Sequence, residues 1–162
     1  MQPLTYYNNN NEPVCLPENY LQKQRPVKKA KAAMVILTRN SEKDAVTETV
    51  VNFEDKFNKN FKYPYVFLNN ESFDEPFKNA IRAVLSPETE VKFGLIPQEH
   101  WGYPAWVNKQ KAEKARQEMD RNGVYFGGLG SYHHICRYYS GFFYRHPLLD
   151  EYSVRTRVYD PL

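Results

Sequence analysis

Ala32-Ala33-Met34-Val35-Ile36-Leu37-Thr38 is a short, unbroken apolar run that breaks at once into the polar step Arg39-Asn40-Ser41. A run of this length without alternation is what a strand buried on both faces of a parallel sheet requires. Beyond it, Ser41 and Asp44 are spaced like a capping box and offer a start for a helix. Val46, Val50, Phe53 and Phe57 then recur at helical spacing, giving a stripe for the sheet, while Glu48, Glu54, Asp55 and Lys56 are expected to stay wet.

The pattern repeats downstream. Tyr65-Val66-Phe67-Leu68-Asn69 reads as a second strand after the Tyr63-Pro64 turn. Phe77, Ile81, Val84 and Leu85 make a second helical stripe, opened near Asp74 to Pro76 and closed by Ser86-Pro87. Val91 to Ile96 reads as a third strand. Strand and helix alternating with short joints predict an α/β fold: a partial doubly wound, mostly parallel sheet, Rossmann-like, whose ligands bind beyond the carboxyl ends of the strands. That rule points at Arg39-Asn40, at Asn69-Asn70-Glu71 and at the Trp-rich segment Pro97 to Trp106, read as an ordered loop. Lys109 to Arg121 reads as a charged, mostly exposed helix ended by Asn122-Gly123, and Val124-Tyr125-Phe126 as a further short strand. Ser131 then caps a last helix carrying Ile135, Tyr138 or Tyr139, and Phe142.

Outside this unit, residues 1–31 are rich in Asn, Pro and Lys without apolar period and read as a mobile lead-in. With 162 residues and 41% hydrophobic content the chain suits one domain. Its 22 basic and 19 acidic side chains are too balanced to call for a nucleic-acid partner. No stretch approaches the roughly 20 apolar residues of a membrane span, so the chain as written is expected to be soluble. Cys15 and Cys136 allow at most one internal disulfide, and spacing leaves their pairing open. Asn70-Glu71-Ser72 is the single acceptor pattern for an N-linked glycan.

Several residues could carry chemistry. Arg39 stands directly after the first strand, where a guanidinium meets a phosphate or base. Tyr132 and Arg137 flank the other rim, the ring suited to a base or sugar and the cation to a diphosphate. Gly127-Gly128-Leu129-Gly130 resembles a phosphate-cradling loop before a helix, although neither the dinucleotide Gly pattern nor a P-loop occurs. His133, His134 and Cys136 are metal-capable, but adjacent helical positions diverge, so a structural role is expected, as it is for His100.

Thr38 to Ser41, Phe53 to Asn58, Tyr65 to Asn69, Gly94 to Trp101 and Ser140 to Leu149, in this order, resemble fungal α-1,2-mannosyltransferases of glycosyltransferase family 15. The resemblance covers about residues 32–152. It implies a GT-A-type nucleotide-sugar half, transfer of mannose from GDP-mannose with retention onto a mannosyl-glycan acceptor, use of Mn²⁺, and a type II Golgi membrane protein. It also implies that Arg39, Tyr132, Arg137 and Ser140 border the donor pocket. Where the family has Tyr-Arg-His-Met-Cys-Arg this chain has Tyr132-His133-His134-Ile135-Cys136-Arg137, so His133 replaces an Arg.

The departure lies at the end. Past Tyr152 the family continues through an aromatic strand to Arg-Val-Glu-Pro, whose Glu binds metal, and then to a second half with the nucleophile. Here Ser153-Val154-Arg155-Thr156 stand in place of the aromatic strand, Tyr159 takes the Glu position and Asp160 falls one residue later, on the opposite face of a strand. Residues 153–162 therefore read as a divergent tail without metal ligands or nucleophile. The resemblance implies a truncated enzyme, with little or no transfer by these residues alone; the alternative is a noncatalytic nucleotide-binding or interaction module.

Overall fold

The computed structural model describes residues 29–157 together with Tyr6, Tyr7, Asn10, Pro13 and Val14. Most of the expected lead-in, Cys15, Tyr159 and Asp160 lie outside the described residues. Near the start, β1 (Tyr6–Tyr7) pairs antiparallel with β2 (Pro13–Val14).

The central sheet is built from β3 (Ala32–Leu37), β4 (Tyr65–Asn69), β5 (Val91–Leu95) and β6 (Val154–Arg157) in the order β5-β4-β3-β6, every pair parallel. Side chains of a strand alternate between faces, so β3 and β4 feed two cores. Met34, Ile36, Tyr65 and Phe67 pack on one face with Val46, Val50, Phe77 and Ile81 from α1 (Lys43–Phe53) and α3 (Glu75–Val84). Ala33, Val35, Val66 and Leu68 pack on the other with Tyr138 from α5 (Gly130–Gly141), Leu149 and Tyr152. Both faces are covered, which is why the strands read as unbroken apolar runs. The chain steps outward from β3 to β4 to β5 and then returns to the other side of β3, which makes the end of β3 the switch point where such sheets bind ligands.

Three elements differ from their sequence reading. First, α1 runs into a π-turn at Glu54–Asn58 and a short helical turn, α2 (Lys59–Phe61), which stops at Lys62 in the left-handed conformation at φ 54°. The wider turn shifts the register, so Glu54, expected wet, is only 8% exposed, and Phe57, expected in the stripe, is 38% exposed. The buried carboxylate is satisfied: Asn58 Nδ2 donates to Glu54 Oε1 at 2.6 Å and Tyr65 OH donates to it at 2.9 Å. Burial, with the bond to Glu54 second, pushes the Tyr65 phenol above its ordinary pKa. Asn58 also closes the loop, accepting from Tyr63 N at 2.8 Å and donating to Tyr63 O at 3.0 Å.

Second, Val124 to Phe126 is a turn, not a strand. The charged helix α4 (Lys109–Arg121) starts where Asn108 Oδ1 caps Lys111 N. It ends at Gly123, φ 68°, with Val124 N bonded back to Met119 O, and the chain turns again through Phe126 at φ 59°. Third, the non-aromatic segment after Tyr152 still forms β6, and the sheet runs on to Arg157. Ladder bonds are made by the backbone, and β-branched Val154 and Thr156 suit a strand as aromatics do. Among the described residues no helix is long and apolar enough to cross a membrane.

Candidate functional site

At the carboxyl end of β3 the chain makes a 3₁₀ turn, Asn40–Glu42, whose capping box joins Arg39 and Glu42, and α1 itself is capped at Glu42, one residue after the Ser41 that the spacing suggests. Glu42 organises this corner. Its carboxylate accepts from Thr38 Oγ1 at 3.0 Å, from the Arg39 amide at 2.9 Å and from Arg39 Nε at 2.9 Å, and Arg39 Nη2 pairs with it as well. Burial pushes the carboxyl up, but the bonds from Arg39 and Thr38 outweigh it and hold Glu42 below its ordinary pKa. The arrangement fixes the stem of Arg39 while its side chain stays 52% exposed.

Asn40 ties this corner to the next. Its Nδ2 donates to Ser72 O at 3.0 Å and its Oδ1 accepts from Asp74 N at 3.2 Å. Asp74 in turn caps α3, accepting from Phe77 N at 2.8 Å. The loops after β3 and β4 are thus one hydrogen-bonded unit, and Asn69, Asn70 and Glu71 lie on it. The glycan-acceptor pattern Asn70-Glu71-Ser72 therefore sits on the lip of the site.

Between this unit and the start of α5 lies a cavity of about 620 Å³. Arg39, Asn40, Ser41 and Glu42 line one side, and Gly130, Ser131 and Tyr132 the other. Leu37, Trp101, Ile135 and Tyr139 supply apolar wall, a mixture of apolar lining and a few polar groups that suits a small-molecule site. Arg39 and Tyr132 thus border one cavity.

Arg137 and Ser140 are placed differently. Arg137 Nη1 donates to His100 O at 3.0 Å and to Gly102 O at 3.1 Å, and its guanidinium lies 4.6 Å from the centre of the Phe142 ring. These bonds fasten the loop after β5 to α5 and keep the cation off the lining. Ser140 Oγ donates to Cys136 O at 2.7 Å, one turn back on its own helix. His100 stacks on Phe142 at 4.7 Å.

The expected phosphate cradle has another explanation. A Cβ on Gly127 would lie 2.7 Å from Met119 Cβ, one on Gly128 would lie 2.7 Å from Asp120 Oδ1, and one on Gly130 would collide with the Arg116 guanidinium. The glycines let the chain lie flush on α4. Arg116 Nη1 donates to Gly128 O at 3.4 Å and His133 Nε2 lies 2.9 Å from Gly127 O, so His133 holds this turn. His134 faces the cavity beside Trp101 and Tyr103. Burial, then the cationic Arg116 and Arg137, lower its pKa below the ordinary histidine value. Cys136 is exposed, with no disulfide partner among the described residues. Among the described residues no three His, Cys, Asp or Glu converge as a metal site, so these residues do not by themselves furnish one for manganese.

Glu42 was not among the sequence candidates, and His134 was expected to be structural, whereas it lines the cavity. Glu42 had a signal, since an acid three residues after Arg39 can reach back to it. His134 had only its one-residue offset from His133.

Residues 4–161 match the family model described as glycolipid 2-alpha-mannosyltransferase. The chain is 45% identical over 128 residues to alpha-1,2 mannosyltransferase KTR1 of Saccharomyces cerevisiae, covering 79% of this chain and 32% of that protein. It is 48% identical over 130 residues to the glycolipid 2-alpha-mannosyltransferase of the same yeast, covering 80% of this chain and 29% of the relative. Among solved structures, mannosyltransferase Ktr4p of S. cerevisiae in complex with GDP superposes with a TM-score of 0.75 at 36% identity, over 80% of this chain and 33% of that one. Core-mannan synthase A of Aspergillus fumigatus in its Mn/GDP form gives 0.71 at 31% identity, over 80% and 34%. The chain spans about a third of the length of these relatives. With residues 4–161 of the chain matched by the family model and its fold superposing on part of two solved members, the chain belongs to the glycolipid 2-alpha-mannosyltransferase family, glycosyltransferase family 15.

Proposed function

We propose that the cavity at the end of β3 holds the nucleotide-sugar donor, GDP-mannose, and that the chain is the donor-binding part of an enzyme transferring mannose in α-1,2 linkage to a mannosyl glycan of glycoprotein or glycolipid. The supporting observation is that Arg39, clamped by Glu42 at the switch point of the sheet, borders the same cavity as Tyr132. Breaking the bond between mannose and GDP builds positive charge on the sugar and negative charge on the diphosphate, so a fixed cation with a partly exposed guanidinium stabilises the leaving group. Tyr132 and Trp101 offer ring faces to the base or sugar. The Golgi membrane location and the use of Mn²⁺ belong to the same reading and rest on the family; a manganese ion bound to the diphosphate would add to its charge neutralisation.

Calorimetric titration with GDP tests the donor site. The chain binds GDP, and Arg39→Ala weakens binding by about tenfold or more, the loss of a charge-assisted contact. Unchanged affinity in that variant, or no GDP binding by the folded chain, refutes the assignment. With GDP-mannose and Mn²⁺ the 162 residues are expected to bind without transfer, because the matched segment is only about a third of the relatives' length. Mannosyl transfer by the purified chain refutes that part alone.

A further inference from the structure

We infer that Asn70 carries an N-linked glycan, and that this glycan and the nucleotide exclude one another from the cavity. Asn70-Glu71-Ser72 satisfies the acceptor rule, since Glu71 is not the proline that would bar it. The pattern falls in the irregular stretch between the end of β4 and Asp74, the cap of α3. Glu71 and Ser72 are exposed there, and Asn70 is half-buried where it lines the cavity. A surface loop can bear a bulky modification that a packed strand or helix face cannot.

The hydrogen bonding of the loop leaves the reacting groups of the pattern unspent. Asn40 grips the loop by its backbone, at the Ser72 carbonyl (3.0 Å) and the Asp74 amide (3.2 Å). The side chains of Asn40, Asn58 and Asn108 are all engaged, whereas the Asn70 amide and the Ser72 hydroxyl bond to no described residue. A sugar on Asn70 Nδ2 therefore costs the fold no hydrogen bond within the described residues. In the modification Asn70 Nδ2 loses a proton and bonds to the anomeric carbon of the first N-acetylglucosamine of a lipid-linked oligosaccharide. The bond from that carbon to the lipid diphosphate breaks, and the diphosphate leaves with the electron pair; the host's oligosaccharyltransferase catalyses the exchange. Because the Asn side chain is short, the first sugar stands at the cavity mouth wherever the outer sugars lie. Arg39 lines the same cavity, so a nucleotide approaching its guanidinium meets the glycan. Modification requires entry into the secretory lumen and exclusion requires the donor reading of the cavity, so both rest on the function proposed above.

The experiment sends the 162-residue chain into the secretory lumen of a eukaryotic host behind a cleavable leader and measures its mass before and after peptide N-glycosidase. A single glycan is expected, removed by the digestion, absent from Ser72→Ala and kept by Ser72→Thr. Neither substitution alters the cavity lining or the Ser72 carbonyl. GDP calorimetry then compares the glycosylated chain with Ser72→Ala from the same host and with the parent from a bacterial host without an oligosaccharyltransferase. The bare chains bind GDP alike, and the glycan weakens binding by about tenfold or more. A chain that reaches the lumen and binds GDP but carries no glycan, or a glycan that persists in Ser72→Ala, overturns the modification site. Equal GDP affinity with and without the glycan overturns the exclusion. If the glycan is present and the bare, folded chains do not bind GDP, the donor reading falls and the exclusion with it, while the modification site stands.

Discussion

The π-turn at Glu54–Asn58 makes opposite demands on two adjacent residues. With a continuous α-helix Phe57 would fill the core, and its truncation to Ala would cost about 3–5 kcal/mol, while Asn58 would be replaceable at little cost. In the structure Asn58 is fully buried and its side chain makes three hydrogen bonds, to the Glu54 carboxylate, Tyr63 O and Tyr63 N. Asn58→Ala removes one bond to a charged group and two neutral ones and leaves the Tyr63 backbone underbonded, for a net loss of about 3 kcal/mol. The Phe57 ring is partly wet and touches chiefly Phe53, Phe61 and Tyr63, so Phe57→Ala costs about 1 kcal/mol. Urea unfolding of both variants measures the difference, which corresponds to melting temperatures lowered by about 6–12 °C for Asn58→Ala and about 2–4 °C for Phe57→Ala. A larger loss at Phe57 than at Asn58 refutes the shifted register.

Gly127→Ala forces a methyl group against Met119 and the Val124 carbonyl and is expected to cost about 1–3 kcal/mol; Gly141→Ala, with open space around it, is neutral or stabilising by up to about 1 kcal/mol, and equal effects in a thermal melt would contradict the packing argument. Arg137→Ala frees the loop holding Trp101 and lowers both stability, by about 2 kcal/mol, and GDP affinity, although the side chain lies off the cavity lining; an unchanged melting temperature argues against the tether. Burial holds the His146 ring below its ordinary pKa against the raising effects of Leu95 O and Asp150, with a smaller lowering contribution from His100. His134 is likewise lowered, so the native state binds fewer protons than the unfolded chain below pH 6.5. Stability is therefore complete above pH 6.5 and declines as pH falls toward the folded-state pKa values; Glu42, also lowered, adds a loss further down, as pH falls through the carboxylate range. Urea midpoints that stay flat or rise from pH 7 to 5 refute this.

The sheet was legible because burial on both faces leaves an unbroken apolar run, as in Val35-Ile36-Leu37 and Val66-Phe67-Leu68, and the helix after β4 because Asp74 caps it where the sequence places its start. The position of Arg39 at the edge of the cavity was legible from the strand-end rule alone. Phe57 was misplaced because a π-turn leaves the residue types of an α-helix in place and changes only which of them face inward. The Gly127 to Gly130 cluster was ambiguous for a similar reason: a glycine needed for close backbone packing and one needed for an anion cradle look alike in sequence. Arg137 shows the limit for cations, whose long stems let the backbone carbonyls of His100 and Gly102 compete with any ligand.

The Asn40 bridge gives the cavity two walls of unequal stiffness. The ends of β3 and β4 cannot part without breaking two hydrogen bonds, whereas the facing wall is the first turn of α5 resting on α4, a helix that buries no residue fully. Amide exchange in the first turn of α5 is therefore expected to be faster than at Thr38 to Glu42. On the donor reading, the stiffer wall carries the Arg39 guanidinium and the more yielding wall faces it.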